Sequence, residues 1–141
     1  MKGTWIGSYK YDNEKAQKAI GFEKTNFTIV IDTFNGKGFE GCVFDDVESG
    51  GMEGEGKIVG EIANNTVSFK KHMPRATFVF KDASRKIIER KHPTIYYSGV
   101  VSHDGKEMKG SWKFKTQIAF LFGIIPFPYI PNKGTWYMKL Q

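Results

Sequence analysis

The side chains that most often do chemistry are few in this chain and stand apart from one another. Its three histidines, His72, His92 and His103, show neither the His-x-His nor the His-Glu-x-x-His spacing that brings imidazoles to one metal ion. The single cysteine, Cys42, alternates out of phase with its neighbours and has no recognisable base partner, so we do not expect a nucleophile there. With no paired acid, base or nucleophile, the sequence predicts a protein that is not an enzyme and holds no metal or cofactor.

Charge is distributed unevenly along the 141 residues, whose formal net charge is +6. Residues 1–69 contain seven basic and eleven acidic side chains, whereas residues 70–141 contain fourteen and four. The densest basic segment, residues 70–92, is a candidate site for an anion or an acidic partner. Alternatively, this basic segment is a solvated face that pairs in part with the acidic segment 45–55. The candidate contacts of the basic segment are Lys70, Lys71, Arg75, Arg85 and Arg90.

Most of the chain alternates apolar and polar residues with a period of two, which is typical of strands with one buried face. Phe27, Ile29 and Ile31 form one such set, and the hairpin-turn dipeptide Asn35-Gly36 follows them. Only residues 14–20 and 82–91 offer short helices as an alternative to strand or loop. The sequence therefore predicts one all-β domain over the whole chain, an antiparallel up-and-down barrel of about eight to ten strands with short connections.

Three copies of one short element carry all three tryptophans of the chain. Lys2-Gly3-Thr4-Trp5 opens the sequence, Lys109-Gly110-Ser111-Trp112 lies in a late strand, and Lys133-Gly134-Thr135-Trp136 begins the last strand. Glycine permits a bend or a close backbone approach, and an indole ring can then fill the narrow end of a barrel. Because the first and last strands of a barrel must pair, the presence of this element on both of them predicts closure.

The Gly3-Thr4-Trp5 signature on the first strand of an antiparallel meander resembles the calycin superfamily, which includes lipocalins, fatty-acid-binding proteins and avidin-like barrels. The hairpin rhythm of residues 27–140 extends this resemblance over most of the chain. The sequence departs from the pattern because residues 12–24 show no clear helix-turn-helix lid. It departs again because no arginine follows Arg90, so Lys139 is the nearest basic residue on the last strand. The resemblance implies a calycin-like β-barrel and identifies no ligand.

A second unusual stretch, residues 116–132, has no charged side chain and contains three prolines. The part before the prolines is compatible with a buried strand, but proline lacks the backbone donor that would continue it. The stretch is a core strand with a tucked-in loop, a lid over the barrel mouth, or a contact between two copies of the chain through Ile118 to Ile130. Its apolar run is too short for a membrane-spanning helix.

The sequence thus favours a non-catalytic barrel that binds a small apolar or anionic molecule in its interior, although the same inward residues could fill a solid core. The alternative is an interaction protein that binds a partner, or a second copy, through the basic segment 70–92 or the apolar stretch 116–132. Nucleic acid is not an expected partner, because Phe78 and Phe80 in the basic segment alternate as core residues do. Without a secretion signal, a cytoplasmic location is expected. The candidate interior residues are Phe27, Ile29, Phe69, Tyr97 and Trp112, with Trp5 and Trp136 nearer the closed end.

Overall fold

The computed structural model of the chain describes residues 1–74, 76–79, 85–88, 94–114 and 133–141. These residues form strands with one α-helix, α1 (Glu14–Ile20), and one 3-10 turn (Val47–Ser49). The strands are β1 (Gly3–Tyr11), β2 (Thr25–Phe34), β3 (Gly38–Asp45), β4 (Glu55–Ala63), β5 (Thr66–His72), β6 (Ala76–Val79), β7 (Arg85–Ile88), β8 (Ile95–Val101), β9 (Glu107–Phe114) and β10 (Lys133–Leu140).

Eight of these strands close into an antiparallel up-and-down barrel, in the order β1-β10-β9-β8-β5-β4-β3-β2. The first and last strands pair along most of their length, with Trp5 opposite Leu140 and Tyr9 opposite Trp136. Among the described residues, β6 and β7 pair only with each other, as a separate two-stranded sheet. The predicted all-β barrel and its closure through β1 and β10 are therefore confirmed.

The two ends of the barrel differ in how their strands are connected. At the end that we call the hairpin end, short turns join β2 to β3, β4 to β5 and β8 to β9. These turns use the left-handed backbone of Gly36, Asn64 and Gly105, with φ of 95°, 56° and 72°. At the opposite end, the loop end, the connections are longer and include α1, the 3-10 turn and the β6–β7 pair. The expectation of short connections throughout was wrong at the loop end.

The two segments that could have formed helices differ from each other in the structure. Glu14–Ile20 is a helix, because the side chain of Asn13 accepts the first free N–H groups and Gly21 ends the helix with a φ of 87°. Arg85–Ile88 is instead the strand β7, paired with β6. Its sequence has a single apolar pair and no stripe that a helix could bury, whereas strand pairing satisfies its backbone groups.

The pairing of β9 with β10 explains two of the three tryptophan elements, those of Trp112 and Trp136. The register places Gly134 opposite Trp112 and Gly110 opposite Trp136. A Cβ on Gly134 would lie 2.6 Å from the ring of Trp112, and a Cβ on Gly99, the partner of Gly110 on β8, would lie 2.9 Å from the ring of Trp136. The glycines thus leave the space in which two large rings lie against the wall of the barrel.

Candidate binding sites

All seven residues predicted to face the interior do so, and they belong to one packed core. Each is no more than 3% exposed. Phe69 stacks on Tyr97 with ring centroids 4.6 Å apart, and Trp136 packs edge-on against both rings. Trp5 lies toward the hairpin end, whereas Trp136 lies in the middle of the barrel rather than near an end. The middle of the barrel is therefore a packed aromatic core. The seven residues are Trp5, Phe27, Ile29, Phe69, Tyr97, Trp112 and Trp136.

Buried polar side chains interrupt this apolar interior near the loop end, and we call three of them the interior polar cluster: Tyr9, Asp45 and Lys71. Lys71 Nζ lies 2.6 Å from Asp45 Oδ1, and the Tyr9 hydroxyl donates to Asp45 Oδ2 at 3.3 Å. The side chains of Lys71 and Asp45 are 2% and 0% exposed. The ammonium also faces the rings of Tyr9 and Phe27, 5.0 Å and 6.0 Å from their centroids. Burying such a pair costs the hydration of both charges. The ion pair therefore marks this end of the core as a candidate functional site.

Strand alternation explains how two charged side chains reach the interior. Lys71 continues the inward face that Val67 and Phe69 begin on β5. Asp45 is likewise in phase with Val43, on β3. Only β4 lies between these two strands in the barrel, so the side chains meet inside it. Sequence reasoning missed Tyr9 and Asp45 as site residues, although the alternation was the signal that could have found them.

Burial, and then the negative charge of Asp45, raises the pKa values of the Tyr9 and Tyr97 hydroxyls well above their usual value of 10.0. Tyr9 therefore keeps its proton near neutral pH and acts as a donor to Asp45. Both oxygens of that carboxylate thus accept a hydrogen bond. The ammonium of Lys71 carries three N–H groups and makes one hydrogen bond within the described residues, so two of its donors have no partner among those residues.

The basic residues predicted to form an outer anion site do not lie on one surface. Lys70 is exposed, but Lys71 is buried, because consecutive residues of a strand face opposite sides of the sheet. The placement of Lys71 as an outer contact is therefore corrected. The pairing expected between the basic segment and residues 45–55 exists as Lys71–Asp45, but inside the barrel. Arg85 lies in β7, while Arg75, Arg90 and residues 115–132, with the proposed contact from Ile118 to Ile130, lie outside the described residues.

The outer surface of the barrel is divided by charge. The outward faces of β1, β10, β9, β8 and β5, which we call the basic wall, carry six exposed lysines and one exposed acid, Glu107. The outward faces of β2, β3 and β4, the acidic wall, carry four acids and one lysine, Lys57. No lysine of the basic wall forms an ion pair within the described residues. The lysines are Lys10, Lys70, Lys109, Lys113, Lys133 and Lys139, and the acids of the acidic wall are Asp32, Glu40, Glu55 and Glu61.

Metal-binding and nucleophilic side chains do not assemble in the part of the chain that the structure describes. No group of three His, Cys, Asp or Glu side chains there could hold a metal ion. Burial, and then a hydrogen bond with Glu55, raises the pKa of the Cys42 thiol, which lowers its thiolate fraction at neutral pH. Over the same residues, no helix has the length and apolar character needed to cross a membrane.

No family model matches the chain, and no curated protein or solved structure is significantly similar to it. The resemblance to the calycin superfamily therefore stays a prediction. The fold itself is a closed, eight-stranded antiparallel β-barrel.

Proposed function

We propose that the protein binds a small amphipathic molecule at the loop end of its barrel. Lys71 holds an anionic or carbonyl head group, and the rings that border the interior polar cluster at the loop end contact the apolar body of the ligand. The observation that carries this proposal is the interior polar cluster, in which a buried cation, with one hydrogen-bond partner among the described residues, lies beside apolar rings. Ionisable groups held in such surroundings are concentrated at binding and catalytic sites.

The hydrogen bonds already made within the cluster favour a head group that accepts. Asp45 is engaged at Oδ1 by Lys71 and at Oδ2 by Tyr9, so a cationic ligand would have to displace an existing partner. An acceptor can instead use the remaining N–H groups of Lys71. A hydrogen bond to a charged group contributes about 1.5–3 kcal/mol, which corresponds to a roughly ten- to hundredfold gain in affinity.

The rings next to the cluster suit the apolar part of such a molecule. The Tyr9 ring stacks on Phe27 with centroids 6.3 Å apart and meets Trp112 edge-on at 5.9 Å. Each methylene group that a ligand buries among these rings contributes about 0.8 kcal/mol. Because Trp112 contacts Tyr9, a molecule bound to the cluster should also change tryptophan emission.

The test compares dodecanoate with dodecanol, two probes that share an alkyl chain and differ in the head group. Titrations followed by tryptophan emission should show dodecanoate binding roughly ten- to hundredfold more tightly than dodecanol. The matched variant is Asp45→Leu/Lys71→Met, which replaces the ion pair by apolar side chains. It should bind the two probes with equal affinity, and its near-UV circular dichroism shows whether its core is native.

Two results would contradict this proposal, one concerning the head-group contact and the other the binding site as a whole. Equal affinity of the native protein for dodecanoate and dodecanol would remove Lys71 as the head-group contact. If dodecanoate, dodecanol, retinoic acid, haem and biotin all leave tryptophan emission unchanged, the interior binding site itself is contradicted.

A further inference from the structure

A groove crosses the basic wall, and its floor is set by the register of four strands. Ser68, Ser98, Ser111 and Thr135 lie side by side on the outward faces of β5, β8, β9 and β10. Because these side chains are short, the wall is recessed between the longer side chains on either side. Two concavities, of about 850 Å³ and about 820 Å³, adjoin the row and share Ser68, Ser98 and Glu61, the exposed acid that lies opposite Ser68 on β4. The second concavity extends onto the acidic wall, where Glu40 also lines it. The recess is therefore continuous over several strands.

Exposed lysines border the groove on both sides. On one side Lys133 lies directly opposite Lys113, and Lys70 lies two strands further along the same row. On the other side is Lys109, which also lines the larger concavity. Like charges directly opposite each other destabilise a sheet, so the pair of Lys113 and Lys133 raises the energy of the free protein. An anion held between them would relieve that repulsion.

Two tyrosines lie on the outer surface next to these lysines. Tyr137 is 40% exposed and lies opposite Lys109, and its hydroxyl donates to Glu107 Oε1 at 2.5 Å, which helps to fix its ring. Tyr96 lies in the row with Lys70, whose ammonium is 5.8 Å from the ring centroid. Aromatic rings beside a positively charged groove are the surfaces on which unpaired nucleobases stack.

We infer that this groove binds single-stranded nucleic acid. Its phosphates contact the lysines on the two sides, the hydroxyl row donates to phosphate and sugar oxygens, and bases stack on Tyr96 and Tyr137. With adjacent strands about 4.8 Å apart, the row from Thr135 to Ser68 is about 14 Å long, enough for a few nucleotides. An acidic protein segment would match the lysines but would make no comparable use of the tyrosine rings.

The test measures fluorescence anisotropy of a labelled oligothymidylate of about twelve nucleotides between about 20 and about 200 mM KCl. With Lys70, Lys109, Lys113 and Lys133 on phosphates, the logarithm of the affinity should fall against the logarithm of salt with a slope of about −3. The variant Lys70→Gln/Lys113→Gln/Lys133→Gln should reduce the slope to about −1 and weaken binding at least about tenfold at the lowest salt. Lys57→Gln on the acidic wall is the matched control, and it should leave the slope unchanged.

A separate variant tests the stacking contact without changing the charge of the groove. Tyr137→Thr keeps a residue that favours strands and should weaken binding roughly fivefold or more, with the salt slope unchanged. The interior variant Asp45→Leu/Lys71→Met should bind the oligonucleotide as the native protein does, since its side chains lie on the other side of the wall.

Three outcomes would overturn the inference. The first is no binding of the oligothymidylate at about 20 mM KCl, where electrostatic attraction is strongest. The second is a triple lysine variant that binds as tightly as the native protein. The third is displacement of the oligonucleotide by polyglutamate of equal charge as effectively as by unlabelled oligothymidylate, which would make the groove a site for acidic polypeptides.

Discussion

Lys70 and Lys71 are consecutive residues of β5, yet they belong to two different regions of the molecule. Lys70 is exposed on the basic wall beside Tyr96, whereas Lys71 lies inside the barrel on Asp45. The outer lysine adds to a field that a diffusing partner senses and that salt screens. The inner lysine is desolvated and held by one carboxylate. In this barrel, the role of a charged residue therefore depends on its phase in the strand rather than on the charge of its segment.

Replacing Lys71 should have the largest effect on stability, whereas replacing Lys70 should have almost none. Lys71→Met leaves Asp45 buried without its partner, and we expect the free energy of unfolding to fall by about 3–5 kcal/mol. The matched change Lys70→Met should stay within about 0.5 kcal/mol of the native protein. Equilibrium unfolding in urea measures both values. Equal losses at the two positions would contradict the division between inside and outside.

The double variant Asp45→Leu/Lys71→Met tests whether the instability of Lys71→Met comes from the unpaired charge of Asp45. Replacing both charges by apolar groups removes the desolvation cost together with the attraction, so most of the stability lost in Lys71→Met should return. We expect a free energy of unfolding within about 1 kcal/mol of the native value, or above it. A double variant as unstable as the single one would show that the pair does not act as an isolated unit.

The buried tyrosines should make the folded protein less stable at alkaline pH. The pKa values of Tyr9 and Tyr97 are raised in the folded protein, so above pH ~10 the unfolded chain loses these protons first. Their contribution to stability is complete below that pH and is lost as the pH rises, by up to about 1.4 kcal/mol per pH unit for each tyrosine. Urea unfolding from about pH 9 to about pH 11 should show this slope, and Tyr9→Phe should reduce it. An unchanged slope in that variant would contradict the burial of Tyr9.

The smallest expected change in stability comes from an exposed lysine of the basic wall. Lys113→Gln removes one of two like charges that face each other on β9 and β10, so the free energy of unfolding should rise by roughly 0.2–1 kcal/mol. High salt should diminish the gain, since the charges are exposed. Lys57→Gln, among acidic neighbours, should give no such gain. Thermal unfolding at low and high salt compares the two variants, and equal shifts would argue against repulsion on the basic wall.

Alternation and the tryptophan elements were sufficient to predict the closed barrel. Phe27, Ile29 and Phe69 face the barrel interior, as the alternation of apolar and polar residues predicts. The strands that carry Trp5 and Trp136 are paired. The connections at the loop end were not predictable in the same way. A short segment such as Arg85–Ile88 has too few apolar positions to distinguish a helical period from a strand period.

The candidate sites were harder to predict, for two physical reasons. Lys71 follows Val67 and Phe69 on one face of its strand, but charged residues are rarely buried unless paired, and no sequence pattern shows that Asp45 meets Lys71. The groove depends on the register of four strands, which a single sequence does not specify for strands joined by long connections. Strand phase and the pairing of the first and last strands were therefore available from the sequence, and the register of the other strands was not.

Amine acetylation measures most directly whether the two neighbouring lysines lie on opposite sides of the barrel wall. The folded protein is treated with a small amount of N-acetoxysuccinimide, a sample unfolded in urea serves as the control, and mass spectrometry maps the modified lysines. We predict that Lys70 reacts like the other exposed lysines, whereas Lys71 reacts at least about a hundredfold more slowly, because it must wait for the barrel to open. Equal rates at Lys70 and Lys71 in the folded protein would contradict the account.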